Sequence, residues 1–201
     1  MKKVLFVLLL LSLLCTADGR DKSLITHELA GINYSKAEND SITAVVNKFL
    51  VWYQQNYQKL KAIKIVPQDS GGGTIQYRVD FKAVDLYLKT LKSSSCLSDQ
   101  YLTNLRKVFE ESDKEMLLQK QTEGPPAVLL GADVIFNTHE IKDCLSIIEQ
   151  KKMKFYPPVQ KNSFATSCVG LIEPFKFSLI KEAGIWKITQ GRWLKRGEDC
   201  G

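Results

Sequence analysis

The chain has 201 residues, of which 44% are hydrophobic and 25% charged, with a formal net charge of +6. These proportions speak against a disordered, collagen-like or coiled-coil chain and favour one globular domain plus a leader.

The leader is read first. Lys2 and Lys3 form a positive start, and Val4 to Leu14 is apolar apart from Ser12. That run is shorter than the roughly 20 residues a spanning helix needs. Small residues follow it, so residues 1–17 are expected to be a signal peptide cut after Ala17. A cut before Arg20 is the alternative site. Lipid anchoring at Cys15 is the rival, disfavoured because Leu14 stands where a small residue is needed. Loss of Lys2 and Lys3 leaves a mildly basic mature chain of +4. The densest cationic cluster is Lys151, Lys152 and Lys154, and no basic helix interleaves aromatics, so no nucleic-acid partner is expected. No other run is long enough to span a membrane.

Residues 18–40 are polar and patternless and are expected to be a flexible lead-in. A single α+β domain is expected over 41–201. Asp40-Ser41 is read as a helix cap. Ile42, Val45, Val46, Phe49, Tyr53, Leu60 and Ile63 then recur at helical spacing, predicting a helix over 41–62. Pro67 and Gly71-Gly72-Gly73 break it. Thr74 to Val79 reads as a short strand, and Phe81 to Leu91 as an amphipathic helix. Ser98 caps a third helix buried through Leu102, Leu105, Phe109 and Met116, and Gly124-Pro125-Pro126 closes the helical half.

The second half reads as strands over 145–148, 163–172, 175–181 and 185–194. The last two form a hairpin with Ala183-Gly184 at its tip. Glu182 opposite Ile185 sets a register with Leu179 opposite Ile188 and Phe177 opposite Gln190. Phe175, Phe177, Leu179, Trp186 and Ile188 then share one face. Helices first and antiparallel strands afterwards give an α+β fold with helices packed on a sheet.

Cleavage after Ala17 would leave four cysteines, Cys96, Cys144, Cys168 and Cys200, an even set suited to two disulfides in an oxidising compartment. Continued past Pro174, the hairpin register places Cys168 beside Asp199 and Cys200. The expected bridges are therefore Cys168–Cys200 and Cys96–Cys144. The closest pair in sequence is 24 positions apart. No paired-cysteine knuckle exists, so no metal site is expected.

Catalytic signals are sparse. His27 lies in the lead-in, and His139 stands beside Glu140 and before Asp143, where a solvated surface histidine outweighs a His–Asp dyad. Gly71 to Gly73 is followed by no Gly-Lys-Ser/Thr and is no phosphate loop. Tyr77, Arg78, Asp80 and Asp85 read as a helix cap with a surface ion pair, or as an acid and its orienting donor in a cavity. Trp52, Tyr53 and Trp186 supply aromatic surface for a core, a pocket or an interface.

Phe49, Trp52-Tyr53 and Asn56, Tyr77-Arg78-Asp80, Leu97-Ser98, Gly131-Ala132-Asp133 and Gly184-Ile185-Trp186-Lys187-Ile188 together resemble a family of bacterial exported (envelope) domains of unknown function. The likeness runs from about Ser41 to Trp193. Val134 departs from it, because proline often follows the aspartate in that family. The resemblance implies a cystatin-like, nuclear transport factor 2-like fold, in which helices and a curved antiparallel sheet form a cone around a cavity. It brings no catalytic residues and no cofactor. The expected function is a non-enzymatic binding or accessory domain of the periplasm or cell surface, taking a protein partner or small ligand on its concave face. The expected binding residues are Trp52, Tyr53, Tyr77, Asp80, Asp133 and Trp186. A small lyase, isomerase or hydrolase of the same superfold and an inhibitor or immunity protein are the alternatives.

Overall fold

The computed structural model describes residues 35–67, 77–118 and 132–200. The expected leader, most of the lead-in, His27, Gly71 to Gly73 and Gly124-Pro125-Pro126 lie outside them. Four helices are followed by five strands: α1 Lys36–Ala62, α2 Phe81–Lys92, α3 Asp99–Leu118 and α4 Ile141–Glu149, then β1 Lys154–Phe155, β2 Val159–Lys161, β3 Phe164–Gly170, β4 Pro174–Glu182 and β5 Ile185–Trp193. All strand pairs in the sheet are antiparallel, in the order β1-β3-β4-β5, with β2 also on β3. The class is α+β, as the order of helical and alternating patterns requires.

Helix α1 begins five residues before the position expected. Ser35 is its cap, accepting from the Glu38 amide at 3.3 Å. Asp40 and Ser41 instead sit inside the first turns, where Asp40 pairs with Lys36 and Ser41 donates to the Glu38 carbonyl. The Ser35-x-x-Glu38 spacing is the stronger start signal, because it places an acceptor before the free amides and an acid near the positive helix end. Asp80 caps α2 by accepting from the Lys82 and Ala83 amides. Ser98 caps α3 by accepting from the Tyr101 amide at 3.1 Å.

Neither of two expected strands is seen among the described residues. Of Thr74 to Val79, only Tyr77–Val79 is described, and it is a link outside the sheet. Residues 145–148 belong to α4: Ile141, Cys144 and Ile148 are buried at helical spacing. Four apolar residues do not separate a strand from a buried helical turn; the neighbours three and four positions away do.

The β4–β5 hairpin carries the expected tip and half of the expected register. Ala183 (φ 48°) and Gly184 (φ 81°) both adopt positive φ, the conformation of a tight two-residue turn. Glu182 opposes Ile185 and Leu179 opposes Ile188, but the register then slips at a bulge. Phe177 faces Gly191 rather than Gln190. Glycine is required there: a Cβ on Gly191 would lie 2.7 Å from Cε1 of Phe175. The bulge thus delivers the one residue that leaves room for the Phe175 ring, and Trp193 then packs edge-on against it at 4.8 Å.

The helices cover one face of the sheet. Phe49, Leu50 and Tyr53 of α1 meet Phe175, Phe177 and Leu179 in a single core joined by Phe136. The free edge of β5 is partly covered by the link before α3, where Ser98 donates to the Ile188 carbonyl at 2.9 Å and Ile188 to that of Cys96 at 2.8 Å.

All four described cysteines are free thiols. Cys96 and Cys144 are not neighbours. Cys96 lies beside Ile188, which opposes Leu179, whereas Cys144 sits near Ile172, just before Pro174 begins β4. Five strand residues separate those levels, about 17 Å. A disulfide needs Cα atoms within about 7 Å. Cys168 lies near Cys200, but not by hairpin register. It is on β3 opposite Lys176, and the C-terminal tail comes back to it.

Candidate functional site

A carboxylate surrounded by tyrosines occupies the junction of α1, α2, α3 and the segment before α4. Asp133 opens a turn closed by its amide on the Thr138 carbonyl at 2.8 Å. Its Oδ1 accepts from the Ile135 and Phe136 amides at 3.0 and 2.9 Å, because an aspartate at this place in a turn reaches the next free amides. Its Oδ2 accepts from the Tyr53 hydroxyl at 2.6 Å. The Tyr87 hydroxyl lies within hydrogen-bonding reach of Tyr53. Tyr53 has one proton, which it gives to Asp133.

Burial raises the Asp133 carboxyl above the ordinary aspartate value, while Tyr53 and the two amides pull it down. Burial, then the Asp133 charge, raises Tyr57 and Tyr101; burial, with neighbouring hydroxyls and Asp133, holds Tyr53 and Tyr87 well above an ordinary phenol. Phenols kept protonated next to a carboxylate are donors. The Tyr53 bond therefore ties α1 to the turn before α4. Both Asp133 oxygens accept hydrogen bonds, from the two turn amides and from Tyr53, and these bonds hold the carboxylate in place.

Next to this cluster is a recess of about 410 Å³ between α3 and the sheet. Tyr101 and Leu105 of α3 and Val134-Ile135 of the Asp133 turn form part of its wall. Gln100 and Asn104 add amides from α3, and Gln190 and Gly191 come from the bulged part of β5. None of the lining residues is charged. Val108, on the same helical stripe as Gln100 and Asn104, is 41% exposed.

The structure unites only two of the expected binding residues, Tyr53 and Asp133. Trp52 is half-buried and stacks on Phe49 at 6.5 Å. Tyr77 is core. Asp80 is spent on capping α2. Arg78 pairs with Asp113, not with Asp80, through bonds of 2.9 and 3.1 Å. Trp186 is buried and donates to Glu38 at 3.3 Å, with the Lys181 ammonium 5.6 Å from its ring centre. It clamps the start of α1 to the hairpin. His139 is exposed. Among the described residues, no three His, Cys, Asp or Glu side chains gather as a metal site would require.

Sequence reading missed Gln100, Asn104 and Gln190. The only trace of them is the neutral Gln100-x-x-x-Asn104-x-x-x-Val108 stripe, which places three uncharged residues on one face of a helix otherwise rich in charge. Comparison of the chain with protein-family models, with characterised proteins and with solved structures gives no match.

Proposed function

We propose that this chain is an exported, non-enzymatic binding or accessory domain of a bacterial periplasm or cell surface, and that the recess between α3 and β5 is its binding site. The observation that carries the reading is the charge-free lining of that recess in a chain with 25% charged residues. Amides above an apolar floor suit an uncharged ligand bearing hydrogen-bonding groups, or the backbone of a partner's segment. The envelope location rests on the leader pattern of residues 1–17. The cone-like, nuclear transport factor 2-like architecture rests on the family resemblance alone.

Native mass spectrometry of the protein from its own envelope fraction tests this reading, alongside Asn104→Trp, which fills the recess from an exposed helix face. The expected result is a bound small molecule or partner chain on the parent protein that is lost from the folded variant. An adduct retained equally by Asn104→Trp moves the site elsewhere, and bare parent protein removes the support for binding.

A further inference from the structure

β3 alternates its side chains between the two faces of the sheet. Ala165, Ser167 and Val169 oppose Leu179, Phe177 and Phe175 on the helix-covered face. Cys168 therefore points to the other face, with Lys176 beside it and Arg192 one strand further on. Among the described residues no helix covers that face, yet Cys168 is 0% exposed.

The C-terminal tail supplies the cover. After β5 the chain turns back, with the Glu198 amide donating to the Lys195 carbonyl at 3.0 Å and Gly197 at φ 88°. The Glu198 carboxylate accepts from both terminal nitrogens of Arg192, at 2.6 and 3.2 Å, and from the Lys195 amide at 3.0 Å. This anchor lays Cys200 over Cys168, whose thiol points at the Cys200 carbonyl 3.9 Å away. Cys168 is sealed, whereas Cys200 is partly exposed at the end of the chain.

We propose that Cys168 and Cys200 are a thiol–disulfide modification site, a clasp that pins the C-terminal tail to the outer face of the sheet when oxidised. The co-reactant is a low-molecular-weight disulfide such as glutathione disulfide. Cys200 loses its proton and attacks one sulfur of that disulfide; the S–S bond breaks and one thiolate leaves. Cys168 then loses its proton and attacks the Cys200 sulfur of the mixed disulfide, and the second thiolate leaves. The two protein thiols have lost two electrons together, and the oxidant has become two thiols carrying the protons. The order follows from access: burial, with Cys200 next to it, pushes the Cys168 thiol up to about 12, so it acts only once its partner is activated at contact distance. Closing the bond asks for a rotation in the tail and leaves the strands in place.

The full chain, reduced and then equilibrated in glutathione buffers, tests this by alkylation and non-reducing peptide mapping. The expected product is a single Cys168–Cys200 bridge, with Cys96 and Cys144 alkylated only after unfolding, and slower tryptic cleavage at Arg196 in the oxidised form. Cys200→Ser removes the bridge. Glu198→Ala frees the tail without touching either thiol and lowers the bridged fraction several-fold at fixed redox poise. A stable glutathione adduct on Cys200 without a bridge, a bridge to Cys96 or Cys144, or no oxidation at an envelope-like poise overturns the proposal.

Discussion

Replacing Tyr53 by Phe removes one oxygen and nothing else from the centre of the molecule. Its hydroxyl is the only side-chain donor to Asp133 Oδ2 among the hydrogen bonds described, at 2.6 Å, and Tyr53 is 1% exposed. A hydrogen bond to a charged group contributes about 1.5–3 kcal/mol, against about 0.5–1.5 for a neutral pair. At neutral pH the variant should lose about 2 kcal/mol, which lowers Tm by about 4–8 °C in a domain of this size. The loss should depend on pH with a definite sign. Burial raises the folded pKa of Asp133, so the carboxyl is ionised above that raised value and protonated below the ordinary one near 3.8. The cost of Tyr53→Phe is full above the folded pKa and shrinks toward the neutral value, about 1 kcal/mol, as pH falls through it. Urea unfolding of parent, Tyr53→Phe, Asp133→Asn and the double variant at pH 7 and pH 3 measures this. A coupling energy of about 1–2 kcal/mol at pH 7 that falls at pH 3 is expected. Additive effects, or a Tyr53→Phe cost that is unchanged with pH, would refute the reasoning.

Gly191→Ala puts a Cβ 2.7 Å from the Phe175 ring and should cost about 1–3 kcal/mol in chemical denaturation. Asp113 accepts two bonds from Arg78 and one from the Val79 amide, and is only 6% exposed. Asp113→Ala should cost about 1–3 kcal/mol at pH 7, because the buried Val79 amide loses its acceptor. Arg78 holds the Asp113 carboxyl below its ordinary value. Its contribution is therefore present above about pH 3.8 and is lost as pH falls through the lower folded pKa, so parent and variant should converge in a urea titration at strongly acid pH. Ser167 is buried with no partner for its hydroxyl among the described residues. Ser167→Ala should be neutral or stabilising by up to about 1 kcal/mol, and a Tm lowered by several degrees would show that the hydroxyl is paired after all.

Much of the fold was legible in local patterns. The buried stripes of α1, α2 and α3, the Asp80 and Ser98 caps and the Ala183-Gly184 tip all follow from residue spacing and turn chemistry within a few positions. The misread segments were short or ambiguous: a four-residue apolar run in α4, the two- and three-residue strands β1 and β2, and a helix start with two competing cap signals. The site was less legible. Asp133 and Tyr53 were named separately, but their meeting spans 80 positions, and no periodicity encodes it. Gln100, Asn104 and Gln190 are ordinary surface residues until α3 is set beside β5.

The sequence by itself determined the buried stripes of α1, α2 and α3, the β4–β5 hairpin tip and the α+β class, because hydrophobic spacing and backbone preference act over a few residues. Tertiary packing alone decided the register slip at Gly191, since that depends on the space taken by the Phe175 ring on the next strand. It also decided that Asp133 meets Tyr53 of α1 with Tyr87 and Tyr101 close by, and that the tail returns Cys200 to the sealed face of Cys168. Those outcomes depend on side chains distant in sequence competing for the same volume and the same hydrogen-bonding partners.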